Sequence, residues 1–101
     1  MAKILQKWLS IRYLLMAKKF GTDTFNFEDA EKFLKRHFED STPIISLVLS
    51  EFKRSGWLNV EIDPTDSRKR RYSLIMMYNK DAFNQLVIEA KVETEKKKEI
   101  G

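Results

Sequence analysis

The chain has 101 residues, enough for one domain with a real core. Apolar residues make up 43% and charged residues 34%, a balance that excludes an intrinsically disordered chain. The net charge of +4 permits a polyanionic partner without demanding one, and the absence of Cys excludes disulfides and thiolate metal sites.

No apolar run approaches the ~20 residues of a membrane helix. Met1 to Ser10 mixes Lys3, Gln6 and Lys7 into its apolar residues and does not read as a signal peptide. The expected setting is cytoplasmic.

Residues 3 to 20 carry no Gly or Pro and read as a helix with two apolar stripes. Ile4, Trp8, Ile11 and Leu15 form one; Leu5, Leu9, Tyr13, Met16 and Phe20 form the other. Together they span an arc of about 200°, twice what a one-sided surface helix needs. One flank is expected on the domain's own core and the other under a second cover, either the C-terminal segment or another subunit. Arg12 and Lys19 interrupt the arc, and Gly21 ends the helix.

Thr22 to Phe27 can supply a brief strand. Asn26 suits an N-cap for a second helix running to about Phe38, with Glu28 and Asp29 favourable in its first turn. Ser41-Thr42-Pro43 combines a hydroxyl cap with an early proline and starts a third helix that Gly56 stops. Ile45, Leu49 and Phe52 are its core stripe. Pro43, Ile44, Ser46, Leu47, Ser50, Lys53 and Arg54 face outward.

From Trp57 to Asp63 the residues alternate, with Leu58, Val60 and Ile62 inward and Trp57 on the outward side. Pro64 to Ser67 is turn chemistry, and residues 70 to 76 alternate again with Tyr72, Leu74 and Met76 on one face. The pair predicts a β-hairpin with a long charged tip. Asp81 to about Glu99 reads as a last helix whose Glu- and Lys-rich end frays in water.

The expected fold class is therefore α+β and mainly helical. Ile45-x3-Leu49-x2-Phe52-x3-Gly56-Trp57-Leu58 resembles the recognition-helix pattern of winged-helix domains. Asp66-Ser67-Arg68-Lys69-Arg70-Arg71-Tyr72-Ser73-Leu74 resembles their wing. The ordered combination, over residues 3 to 76, is most similar to MarR-like and archaeal winged-helix transcriptional regulators. The resemblance implies a winged helix-turn-helix: a three-helix core, a hairpin wing and an additional C-terminal helix. Residues 1-78 would form the DNA-binding domain, and residues 79-101 a C-terminal helix serving dimerisation.

The resemblance implies double-stranded DNA as partner, with the third helix in the major groove and the wing on phosphates or the minor groove. In MarR-type proteins an Asp two residues before the wing Arg holds it in place; Asp66 and Arg68 match that spacing. The cations Arg68, Lys69, Arg70 and Arg71 would release counterions from phosphates. On the third helix, Thr42, Ser46 and Ser50 suit phosphates, Leu47 a thymine methyl, and Lys53 and Arg54 the backbone. A homodimer would set half-sites one DNA turn, ~34 Å, apart.

The other chemistry is sparse. His37 is the sole histidine, with no clustered partner for a metal. Glu28, Asp29 and Glu31 read as helix-start charges, and no phosphate loop, nucleophile motif or cofactor signature occurs. Neither a cofactor nor catalysis is expected. Phe20, Phe25, Phe27, Phe33, Phe38 and Phe52 read as core. The competing reading is a protein-interaction module using Ile44 and Leu47 on the outward face of the third helix.

Overall fold

A computed structural model describes residues 3–75 and 84–88. Three helices come first: α1 (Lys7–Phe20), α2 (Phe27–Phe38) and α3 (Thr42–Arg54). Two antiparallel strands follow, β1 (Leu58–Asp63) and β2 (Asp66–Leu74). A short helical stretch occupies residues 84–88, with Leu86 buried in the core. Met76 and most of the expected last helix lie outside the described residues.

α1 begins four residues later than its apolar periodicity predicts. Residues 3–6 are extended because they are tied to the turn after α3. The Lys3 N–H donates to Ser55 O at 2.8 Å, and the Trp57 indole N–H donates to Lys3 O. Ser10 Oγ then donates to Leu5 O at 3.2 Å and Gln6 O at 3.0 Å, serving carbonyls at the helix entry. Alternation rather than helical spacing thus exposes Ile4 and buries Leu5. Beyond that point the two stripes behave differently. Leu9, Tyr13 and Met16 are buried, whereas Trp8 and Ile11 are half-buried and Leu15 is exposed. Gly21, with φ 58, ends the helix in a conformation that an L side chain rarely adopts.

α2 starts on a reciprocal cap. Asn26 Oδ1 accepts from the Asp29 N–H at 2.8 Å, and Asp29 Oδ2 accepts from the Asn26 N–H at 3.1 Å. α3 follows after three residues, led by Pro43 in its first turn. Its Ile45, Val48, Leu49 and Phe52 are buried. Phe25 bridges to Tyr72 through paired backbone bonds of 2.9 and 2.8 Å, which fastens the hairpin to the segment between α1 and α2.

The core centres on Tyr13, whose ring meets Phe52 and Trp57 edge-on, each at 5.1 Å between centroids. Its hydroxyl donates to Trp57 O at 2.9 Å. Burial pushes the Tyr13 hydroxyl well above its ordinary pKa, so it stays a neutral donor. Trp57 is fully buried, contrary to the outward position that alternation assigns it. It precedes the first paired residue, Leu58, so strand parity does not govern it. Phe25 and Phe52 are buried, and Phe20, Phe27, Phe33 and Phe38 pack against the core from its rim.

Candidate nucleic-acid interface

The hairpin is closed by Pro64 and Thr65. Asp63 Oδ1 accepts from the Thr65 N–H at 2.8 Å and from its hydroxyl at 2.7 Å, making a tight Asx turn. These bonds hold the Asp63 carboxyl below the usual carboxylate range. The pairing register runs from Leu58↔Leu74 to Ile62↔Arg70, then jumps to Asp63↔Asp66. Residues 67–69 are therefore an irregularity in β2, which re-aims side chains there. The four cations lie along β2 and not at the tip, because β2 begins at Asp66, four residues before its alternation is visible.

Cross-strand partners share a face. Val60, Tyr72, Ile62 and Arg70 lie on one side, and Glu61 and Arg71 on the other. Arg71 also stands 3.9 Å from Asp63, so its charge is opposed by that carboxylate. Arg70 Nη1 donates to the carbonyls of Ser67 at 3.2 Å and Lys69 at 3.3 Å. Asp66 Oδ1 accepts from the Arg68 N–H at 3.0 Å and from its Nε at 3.3 Å. The backbone N–H of Arg68, above all, holds Asp66 below the usual carboxylate range. The Asp66-x-Arg68 spacing thus places the carboxylate against both the backbone and the guanidinium N–H groups of Arg68.

On α3 every outward residue expected from the wheel is exposed: Pro43, Ile44, Ser46, Leu47, Ser50, Lys53 and Arg54; Thr42, at its start, is exposed as well. They divide between two sides. Ser46, Ser50 and Lys53 line a shallow groove of about 300 Å3 against the hairpin, with Phe27, Val60 and Tyr72 opposite. A neighbouring groove is lined by Arg68, Lys69 and Arg70 together with Asn26, Phe27 and Glu28, and again Tyr72. Phe27 and Tyr72 belong to both, so one continuous surface runs from α3 to the cations of β2. Half-burial of Tyr72 raises its hydroxyl above the ordinary value and keeps it uncharged beside Arg70.

The other α3 residues point elsewhere or are engaged. Leu47 and Arg54 line a different groove, beside Ile4 and Trp8. Both carboxylate oxygens of Glu51 accept from Arg54 Nη2, at 2.7 and 2.6 Å. The Thr42 hydroxyl donates to Glu31 Oε2 at 2.8 Å. The sequence marks Glu31 only as a helix-start charge and gives Glu51 no role, although the i,i+3 spacing of Glu51 and Arg54 signals their pairing. His37 lies against the Phe33 ring, 4.4 Å between centroids, and joins no metal-binding cluster among the described residues. No helix among the described residues is long and apolar enough to cross a membrane.

No family profile and no curated protein matches this chain. Solved structures do. BpsR of Bordetella bronchiseptica, whose DNA binding is regulated by 6-hydroxynicotinic acid, superposes with a TM-score of 0.61 at 18% identity. The match covers 87% of this chain but only 61% of BpsR, so the chain spans under two thirds of that protein. MepR of S. aureus, in complex with DNA, superposes with a TM-score of 0.55 at 17% identity, covering 96% of this chain and 75% of MepR. At such identities the likeness speaks to architecture. Three helices, an antiparallel hairpin and a short helix behind it give this chain a MarR-like winged helix-turn-helix fold.

Proposed function

We propose that this chain binds double-stranded DNA as a transcriptional regulator and works by binding, without catalysis. The observation that carries the reading is the continuous surface joining Ser46, Ser50 and Lys53 to Arg68, Lys69 and Arg70 through Tyr72 and Phe27. It pairs a rod of groove-compatible size with a cationic arm, the arrangement that duplex recognition uses. Ser46 and Ser50 offer hydroxyls to phosphates, and Lys53 a point charge. Arg68, pre-aimed by Asp66, suits the minor groove, whose narrowed form concentrates negative potential. Thr42, Leu47, Arg54 and Arg71 join the interface only after side-chain rearrangement. The DNA binding of BpsR and MepR supports the class of partner.

The test is fluorescence anisotropy on a random duplex at stepped salt. Wild-type affinity falls steeply with salt, and the double variant Arg68→Ala/Arg70→Ala binds more weakly with a shallower slope. Unchanged affinity and slope in that variant would remove the wing from the interface.

A symmetric homodimer in the cytoplasm completes the proposal. The flank of α1 that leaves Trp8 and Ile11 half-buried and Leu15 exposed supports it, and residues 79-101 would act as a second dimerisation element. Light scattering should return twice the 12.0 kDa of one chain; a 12.0 kDa particle at working concentration refutes it.

One observation favours a second reading. Ile44 and Leu47 are 38% and 45% exposed, and Leu47 shares its groove with Ile4 and Trp8. An apolar protein partner could seat there. Failure to bind any duplex at low salt, with folding intact, would favour it.

A further inference from the structure

Arg12 lies on α1, away from both grooves of the recognition surface, yet it is the most heavily engaged cation among the described residues. Its Nε donates to Asp40 Oδ2 at 2.9 Å and its Nη2 to Asp40 Oδ1 at 2.8 Å. Its Nη1 donates to Trp8 O at 3.0 Å. The guanidinium sits 4.2 Å from the Phe38 ring centroid and 5.2 Å from that of Trp8. The Arg12 and Asp40 side chains are only 15% and 6% exposed. A planar fork, two parallel bonds and aromatic faces form a contact that a lysine cannot reproduce.

The place of Asp40 gives this contact its meaning. It stands in the two-residue turn between α2 and the N-cap of α3. Before it comes Glu39, a non-glycine residue at φ 56. After it comes Ser41, whose side chain makes no capping bond. A left-handed turn with a weak cap does not fix the direction of the next helix; such backbones persist where surrounding contacts over-determine them. The Thr42 hydroxyl on Glu31 supplies one such contact from within the exposed face, and Arg12 supplies the buried one from α1. The lever is long: α3 has 13 residues, about 20 Å, so a tilt of ~10° at its start moves its far end by ~3 Å. That displacement exceeds the tolerance of a hydrogen bond.

We propose that Arg12 is a positioning residue for duplex binding. Its grip on Asp40 sets the angle at which α3 leaves α2, and so the distance of Ser46, Ser50 and Lys53 from the hairpin. The inference rests on the DNA-binding reading, but part of its test is independent of DNA.

Four proteins are compared at a temperature where each is fully folded by circular dichroism: wild type, Arg12→Lys, Arg12→Met, and Arg12→Met/Asp40→Leu. The last replaces the ion pair by an apolar one, which restores stability in comparable sites. In free protein, exchange of the Ile45 amide, bonded to Ser41 O, quickens at least tenfold in Arg12→Met, while the Phe25 and Tyr72 amides keep their protection. Duplex affinity falls at least tenfold in Arg12→Met and stays low in the apolar pair, with the wild-type salt slope retained. Arg12→Lys falls between. Affinity that returns with stability in the apolar pair overturns the proposal, because the role is then structural only. A slope reduced by one phosphate also overturns it, because Arg12 would then touch DNA directly. If wild type itself binds no duplex, the DNA reading fails; unchanged Ile45 exchange then rejects the positioning role as well.

Discussion

At the scale of single residues, Arg54, Arg68 and Arg71 of the candidate interface are each held by a neighbouring carboxylate. Arg54 is 77% exposed at its side chain yet spends its guanidinium on Glu51. An exposed pair of this kind is weak, ~0–1 kcal/mol, so a phosphate can compete for the arginine only by displacing a like-charged neighbour. Arg54→Ala alone should therefore change duplex affinity by less than about twofold. In a Glu51→Gln background the same substitution should cost about fivefold or more, because the freed arginine now reaches phosphate. A double-mutant cycle of duplex affinities measures the coupling, and equal costs in both backgrounds would refute it.

The acids of the hairpin make a prediction in pH. Asp63 and Asp66 are both held below the usual carboxylate range by hydrogen bonds from Thr65 and Arg68. A lowered folded-state value means that the bonds are intact above the ordinary Asp pKa of about 3.9 and are lost only as pH falls through the lowered values. Carboxyl NMR titration should place both midpoints below that of a free Asp. The Arg68 amide resonance should move with Asp66. A midpoint at the ordinary value for Asp66 would leave Arg68 unoriented.

At the scale of elements, the helices were legible where local chemistry decides them. Asn26 with Asp29, Ser41 with Pro43, and the glycines at 21 and 56 mark ends that the structure places within a residue or two. Asn26→Ala removes one half of a reciprocal cap and should cost about 1 kcal/mol of stability by urea unfolding, with duplex affinity unchanged once folded. A loss under a few tenths would mean that packing alone starts α2. Elements decided by distant contacts were not legible. Residues 3–6 continue a helical pattern but are claimed by Ser55 and Trp57, some fifty positions away in sequence. Strand parity assigns Trp57 outward, but the residue precedes the first strand pair, where parity has no hold. Arg12 and Asp40 are 28 residues apart, and nothing in either neighbourhood announces the pairing.

At the scale of the whole molecule, the net charge of +4 understates the cationic face. Four exposed cations, Lys53, Arg68, Lys69 and Arg70, line the two joined grooves. If each neutralises one phosphate, log affinity should fall against log salt with a slope of about −3.6 per copy. A slope near −1 from the anisotropy series would mean that most of these side chains stay in solvent. The candidate site was half legible. The basic run and the serines of the third helix are visible in the spacing and the resemblance. Their union through Tyr72 and Phe27 depends on the Phe25 to Tyr72 bridge, a tertiary contact between segments with no shared pattern.

The two tryptophans occupy opposite environments, one sealed beside Tyr13 and one half-exposed on α1 against a guanidinium. Their emission should accordingly separate into a blue-shifted component and a quenchable, redder one. Acrylamide would then report the Arg12 contact in the native protein while the sealed indole reports global melting, so a single cuvette distinguishes a loosened joint from an unfolded chain.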